Sequence, residues 1–148
     1  MSIYSILEPE VAGVIGESSF IDGSTIPQVV RSLEYKFETW FENDLLQAYP
    51  CFLVTDRLKK ALEKYHGTGY SFDEVFATQS VQFELINPGI TLGLFWCFKI
   101  SGHAGEADFG LSEDGTLVVS ANALEILRKF NLSRCTIRTR PFQPKKAI

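Results

Sequence analysis

The chain has 148 residues, of which 45% are hydrophobic and 22% charged; that balance fits one globular domain with its own core and excludes a disordered segment. Its net charge of −4 argues against a nucleic-acid binder, which displaces phosphate counterions with a basic stripe. The most apolar run, Ile90 to Phe98, falls well short of the roughly 20 residues that cross a bilayer.

The first residues, Met-Ser-Ile-Tyr-Ser-Ile-Leu-Glu, lack a basic n-region, an apolar stretch and a small-residue cleavage site, so no secretory signal is expected. Ile3 to Leu7 alternates as a first strand, and Glu8-Pro9-Glu10 interrupts it. Val11 to Asp22 reads as extended chain bent at Gly13 and Gly16. Ser32 to Glu38 alternates polar and apolar residues and predicts a half-buried strand. Trp40 to Tyr49 predicts a short irregular or helical turn.

A clearer unit follows. Cys51 to Val54 predicts a strand, Thr55 is a good N-cap, and Asp56 to Tyr65 has the period of an amphipathic helix. Leu58, Ala61, Leu62 and Tyr65 share one face, while Asp56 and Lys64 complement the helix dipole. Ser71 to Phe76 then returns as a strand. The pattern recurs in Leu117 to Val119, the cap Ser120, a helix to Phe130, and a strand from Arg134 to Arg140. At a shift of 65, Leu53, Val54, Thr55, Leu58, Ala61, Leu62, Tyr65 and Phe72 meet Val118, Val119, Ser120, Ala123, Ile126, Leu127, Phe130 and Ile137. Each pair matches in role, as a duplicated or convergent strand–helix–strand element would. Between the units, Gly93 to Ile100 is dense in aromatics and predicts a central strand buried on both faces.

The expected fold is therefore α+β: a single domain over 1–148 with a mixed sheet of about five to eight strands and two amphipathic helices, at about 55–65 and 120–130. The basic end, 141–148, reads as a flexible tail. Cys51, Cys97 and Cys135 are too far apart for a zinc motif and read as buried free thiols.

The stretch SGHAGEADFGLSEDG, residues 101–115, is the richest in reactive side chains. As a phosphate cradle it fails, because no helix begins after Gly105 and two carboxylates follow. His103, Glu106 and Asp108 could serve a metal, although their spacing matches no compact ligand motif. Ser101 and His103 lack a nucleophile elbow. What is left is a bend at Gly102 and Gly105 with Glu106, Asp108, Glu113 and Asp114 in water, and an Asp114-Gly115 hairpin signal. Such an acidic edge suits a basic partner.

The stretches ILEPEVAG, PCFLVTDRLKKAL and FKISGHAGEADFGLSEDGTLVVSANALEILRKFNLSRC together resemble the immunity proteins encoded beside bacterial polymorphic toxins. The resemblance runs from Ile6 to Cys135 and is one of order and texture, without a catalytic signature. It implies a non-enzymatic protein, without cofactor, that binds and blocks a cognate, basic toxin domain in the cytoplasm of the producing cell. On that reading, Glu106, Asp108, Glu113 and Asp114 are expected to supply contact charge, and Trp40, Glu42 and Asp44 an aromatic-and-acid patch. The alternative is a small metal-dependent or acid–base enzyme, or a ligand-binding domain, using the 101–115 loop. Neither reading requires nucleic acid or membrane, and both leave the oligomeric state open.

Overall fold

The computed structural model describes residues 2–22, 29–48 and 51–142; the proposed tail beyond 142 lies outside them. Strand β1 (Ser2–Glu8) is followed by four short strands, β2 (Gly13–Ile15), β3 (Phe20–Asp22), β4 (Val29–Ser32) and β5 (Glu34–Phe37). The strand expected over 32–38 is thus split at Leu33. Next come β6 (Leu45–Ala48), β7 (Cys51–Thr55), helix α1 (Asp56–Tyr65), β8 (Tyr70–Glu74), β9 (Phe76–Gln79), helix α2 (Val81–Ile86) and β10 (Phe95–Ile100). The chain then forms β11 (Phe109–Leu111), β12 (Leu117–Ser120), helix α3 (Ala121–Leu127) and β13 (Thr136–Phe142).

The class is α+β, but its layout differs from a single mixed sheet. Among the described residues the strands form sheets of four, four, three and two, in the orders β11-β12-β1-β13, β6-β7-β10-β8, β2-β5-β9 and β3-β4. Among the described strands only β5 and β9 pair in parallel. A third helix, α2, adds to the two expected, and α3 ends at Leu127 rather than Phe130. The segment expected to turn irregularly or helically does so only as far as Asp44. Leu45–Ala48 is a strand because Leu45, Leu46 and Ala48 are buried and the segment pairs with β7.

The β6-β7-β10-β8 sheet is covered on both sides. On one face Phe52, Val54 and Phe98 pack with Leu58 and Leu62 of α1, Leu117 and Val119 of β12, and Ala123 and Leu127 of α3. On the other, Leu53, Phe95 and Cys97 pack with Tyr35 and Phe37 of β5 and Phe83 of α2. Hence β10 is the doubly buried strand that its aromatic run predicted. Removing one such side chain from water is worth about 1.5–3 kcal/mol, and Phe37, Phe83, Phe98 and Phe109 are all at most 1% exposed.

The repeat is carried in the pairing register as well as in the sequence. β7 and β8 flank β10, and β12 and β13 flank β1, so each half is a split strand–helix–strand unit around one antiparallel strand. Phe98 pairs with Phe52 on one side and Phe72 on the other. Leu7 pairs with Leu117 and Ile137, the residues 65 positions later. The edge strands correspond too: Leu45 pairs with Val54, and Phe109 with Val119. Even the cross-strand ion pairs match with their signs exchanged, since Lys99–Asp73 (2.9 Å) occupies the place of Glu8–Arg138 (2.6 Å). In the first half the central strand follows its partners; in the second it precedes them.

Candidate functional site

The 101–115 loop is packed against the first half of the chain. Ser101 N and Gly102 N donate to Gly69 O (2.8 and 3.2 Å), and Phe109 N donates to Thr68 O (3.1 Å). Gly69 and Gly102 touch backbone to backbone; a β-carbon on Gly102 would stand 3.1 Å from Gly69 Cα and run into Phe109 O and Ala107, and Gly69 has φ +91°. These glycines exist for close approach. His103 is exposed and bridges to Leu111 through its backbone. Glu106 is exposed on the turn, with its N–H on His103 O.

Asp108 does not stand out in water. Its carboxylate accepts from Ser120 Oγ (2.8 Å), Tyr65 Oη (3.1 Å), Thr68 N (2.9 Å) and Thr68 Oγ1 (3.1 Å). Burial pushes its pKa up, but the hydrogen bonds from Ser120, Thr68 and Tyr65 outweigh that and hold it below the usual carboxylate value. Its oxygens are thus occupied, and among the described residues no group of three His, Cys, Asp or Glu side chains is arranged to hold a metal ion. The alternative metal set of His103, Glu106 and Asp108 is not among such groups.

Asp44 is the counterpart of Asp108. It is 1% exposed and accepts from Thr55 Oγ1 (2.5 Å), Arg57 Nε (2.7 Å) and Nη2 (2.5 Å), and Asn131 N (2.8 Å). Each aspartate directly precedes an edge strand and binds the hydroxyl at its own half's helix N-cap, Thr55 or Ser120. Each also reaches a backbone N–H just past the other half's helix, Asn131 or Thr68. Two reciprocal carboxylates therefore tie the halves together, and both sit where a helix N-terminus favours negative charge. The two caps differ in detail. Ser120 Oγ donates to Asp108 and also accepts from Ala123 N, whereas Thr55 Oγ1 donates to Asp44 and makes no side-chain cap. Burial again raises the Asp44 pKa, and the bonds from Arg57, Thr55 and Asn131 reverse it to a net lowering. Both residues were expected to contact a partner; Asp44 is buried, and both carboxylates are engaged by hydrogen bonds within the chain.

Glu113 and Asp114 lie at the exposed β11–β12 hairpin, as the Asp-Gly signal predicted, with Gly115 at φ +84°. Asp114 accepts from Thr116 N (3.2 Å), Thr116 Oγ1 (2.8 Å) and Ser112 Oγ. Its charge is spent chiefly on shaping the turn.

Trp40, Glu42 and Asp44 do come together, in an open groove of about 530 Å³ that they line with Asp56, Arg57 and Leu94. Trp40 is half-buried, donates Nε1 to Asn43 O (3.0 Å) and meets the Phe95 ring edge-on at 5.5 Å. Glu42 is exposed with φ +60°, and its carbonyl accepts from Asn131 Nδ2 (3.0 Å). Phe41 is 41% exposed under the Arg134 guanidinium, 3.9 Å from its ring centroid. Asp56 is held below the normal carboxylate range by its bonds from Lys60 and Trp96 Nε1. Arg57 is 64% exposed while it grips the buried Asp44. At a shift of 65, Asp56 and Arg57 correspond to Ala121 and Asn122. The duplicated frame is therefore charged on this side and uncharged on the other.

Chemically, the groove offers aromatic and aliphatic contact area with charge at its edge. Its acids Asp44 and Asp56 are already hydrogen-bonded, and the hydroxyl of Thr55 is committed to Asp44. Arg57 and Leu94 escaped the sequence reading because one sits on a helix face and the other in a loop; the missed signal was that a shift of 64 superposes Asp44 on Asp108. Among the three cysteines, Cys51 and Cys97 are buried thiols as expected, and Cys135 is half-buried, its pKa lifted by burial to about 11. Among the described residues no helix is long and apolar enough to cross a membrane. The chain matches no family model, no curated protein and no solved structure.

Proposed function

We propose that the chain is a non-enzymatic binding protein that neutralises a cognate toxin domain in the cytoplasm of the bacterium producing both. The reading begins from the resemblance carried by Ile6 to Cys135. The observation that supports it best is the groove where Trp40 and exposed Leu94 sit with Glu42 and the Arg57–Asp44 pair. Aromatic anchors rimmed by charge are the usual make-up of an interface centre. Glu106 and Glu113, both exposed, are retained as peripheral charge that speeds encounter with a basic partner.

The test is retention of a partner from the producing cell's lysate on the tagged chain, followed by expression of that partner alone and together with the chain. Toxicity alone and growth with both is the expected result, with association slowing as ionic strength rises. A retained partner that is harmless by itself, or a toxic one that the chain fails to silence, overturns the proposal.

A further inference from the structure

The segment between β8 and β10 is the part of the first half that has no counterpart in the second. It supplies β9, α2 and the loop to Leu94, and its inner side closes the second core with Phe83 at 1% exposure. Its outer side is also apolar. Val81 and Leu85, one helical turn apart, are 76% and 78% exposed. Phe76 at 66%, Leu94 at 59%, Ile86 at 49% and Ile90 at 39% belong to the same segment. A surface helix ordinarily turns polar residues to water, and a run of exposed apolar side chains on one segment marks a contact surface.

The segment is firmly held. Ser80 N donates to Phe37 O (2.9 Å), Ser80 Oγ caps Phe83 N (3.1 Å), and Asn87 bonds Thr39 Oγ1 and both the N–H and carbonyl of Trp40. Those Asn87 bonds join α2 to the groove. Isolated, a helix of six residues would not persist, so the surrounding frame is what presents this outward face.

Charge identifies the occupant. From Tyr65 to Phe98 there is no lysine or arginine, against Asp73, Glu74 and Glu84. Asp73 is matched by Lys99, whereas among the described residues Glu74 and Glu84 have no salt-bridge partner. A second copy of this chain set face to face would bring carboxylates together with no cation from the segment to separate them. We infer that the outer face of α2 and the following loop is a docking surface for a cationic amphipathic helix, whose apolar stripe covers Val81 and Leu85 and whose lysines or arginines meet Glu84 beside them. The inference rests on the chain being a binding protein, and not on its partner being a toxin.

Two synthetic 18-residue helices that share a leucine face, one with lysines and one with glutamates opposite, provide the probes for the whole chain. The lysine peptide should bind at micromolar concentration and slow amide exchange across 81–94. Val81→Ser with Leu85→Ser should weaken it about tenfold or more, and Glu84→Lys severalfold, each with unchanged circular dichroism and melting. Equal binding of the glutamate peptide, protection elsewhere, or no binding overturns the inference. So does a dimer of the chain that the serine variant dissociates, which would make a second copy the occupant. The two proposals also fail separately: if the lysine peptide does not bind while the chain silences a toxic partner, this surface is wrong and the neutralising function stands. If the lysine peptide binds at this face but no toxic partner exists, the reverse holds.

Discussion

Asp44 and Asp108 contribute in different ways despite their matching positions. Asp44 is buried against an exposed guanidinium, so the unfavourable change is to remove Arg57 and leave a dehydrated anion. Arg57→Ala should cost about 3 kcal/mol, and much less in an Asp44→Asn background, because the two effects share one pair. A urea-unfolding cycle measures both. Asp108 has no cation and is held by hydroxyls and one backbone N–H. Asp108→Ala should cost about 2–3 kcal/mol by orphaning those donors. Both carboxyls titrate below their unfolded value of about 4, so the folded state holds fewer protons than the unfolded one. The stability they add is complete above that pH and is lost as pH falls through the folded values. An Asp108→Asn protein should accordingly lose less stability than wild type between neutral pH and acid. An equal loss would show that this carboxylate is not part of the acid transition.

At the scale of elements, legibility followed the strength of the local pattern. α1, β1, β10 and the β11–β12 hairpin each have a periodic or turn signal of their own, and each formed. α2 is hidden in the sequence because Val81 to Ile86 spans fewer than two turns and has apolar residues on its outer side, so no amphipathic period can emerge. β6 is hidden because four residues paired to β7 are a strand only by virtue of that neighbour. The two aspartates escape a local reading for the same kind of reason. A carboxylate looks solvated until the strand that places it beside a distant helix end is known, and nothing local to Asp108 announces Ser120 or Thr68. The exchanged ion pairs offer an element-level test. Swapping the signs of the Lys99–Asp73 pair, as K99D with D73K, should return to within about 0.5 kcal/mol of wild type, each single change costing about 0.2–1 kcal/mol because both groups are substantially exposed. A double variant no better than the singles would mean the pair is not what the second half's reversed copy implies.

For the molecule as a whole, the split-unit pattern makes β1 the central strand of the C-terminal half. Ser2 pairs with Phe142, so the two ends of the described chain are neighbours. A circular permutant that joins them through a short glycine linker and opens at Gly89, where no atom lies within 4 Å of a built β-carbon, should keep the native circular dichroism spectrum and melt within a few degrees of wild type. Such a protein would exchange the two orders: the half centred on β1 would run strand, strand, helix, strand, centre, and the half centred on β10 would begin with its centre. Loss of the fold would show that the register match is coincidental. The order nature uses has a consequence for synthesis. On the ribosome β1 emerges well before β12 and β13, which pair with its two edges. While every element between Glu8 and Leu117 is being made, that strand lacks the partners of both its edges, and it stays open to wrong pairings until they follow.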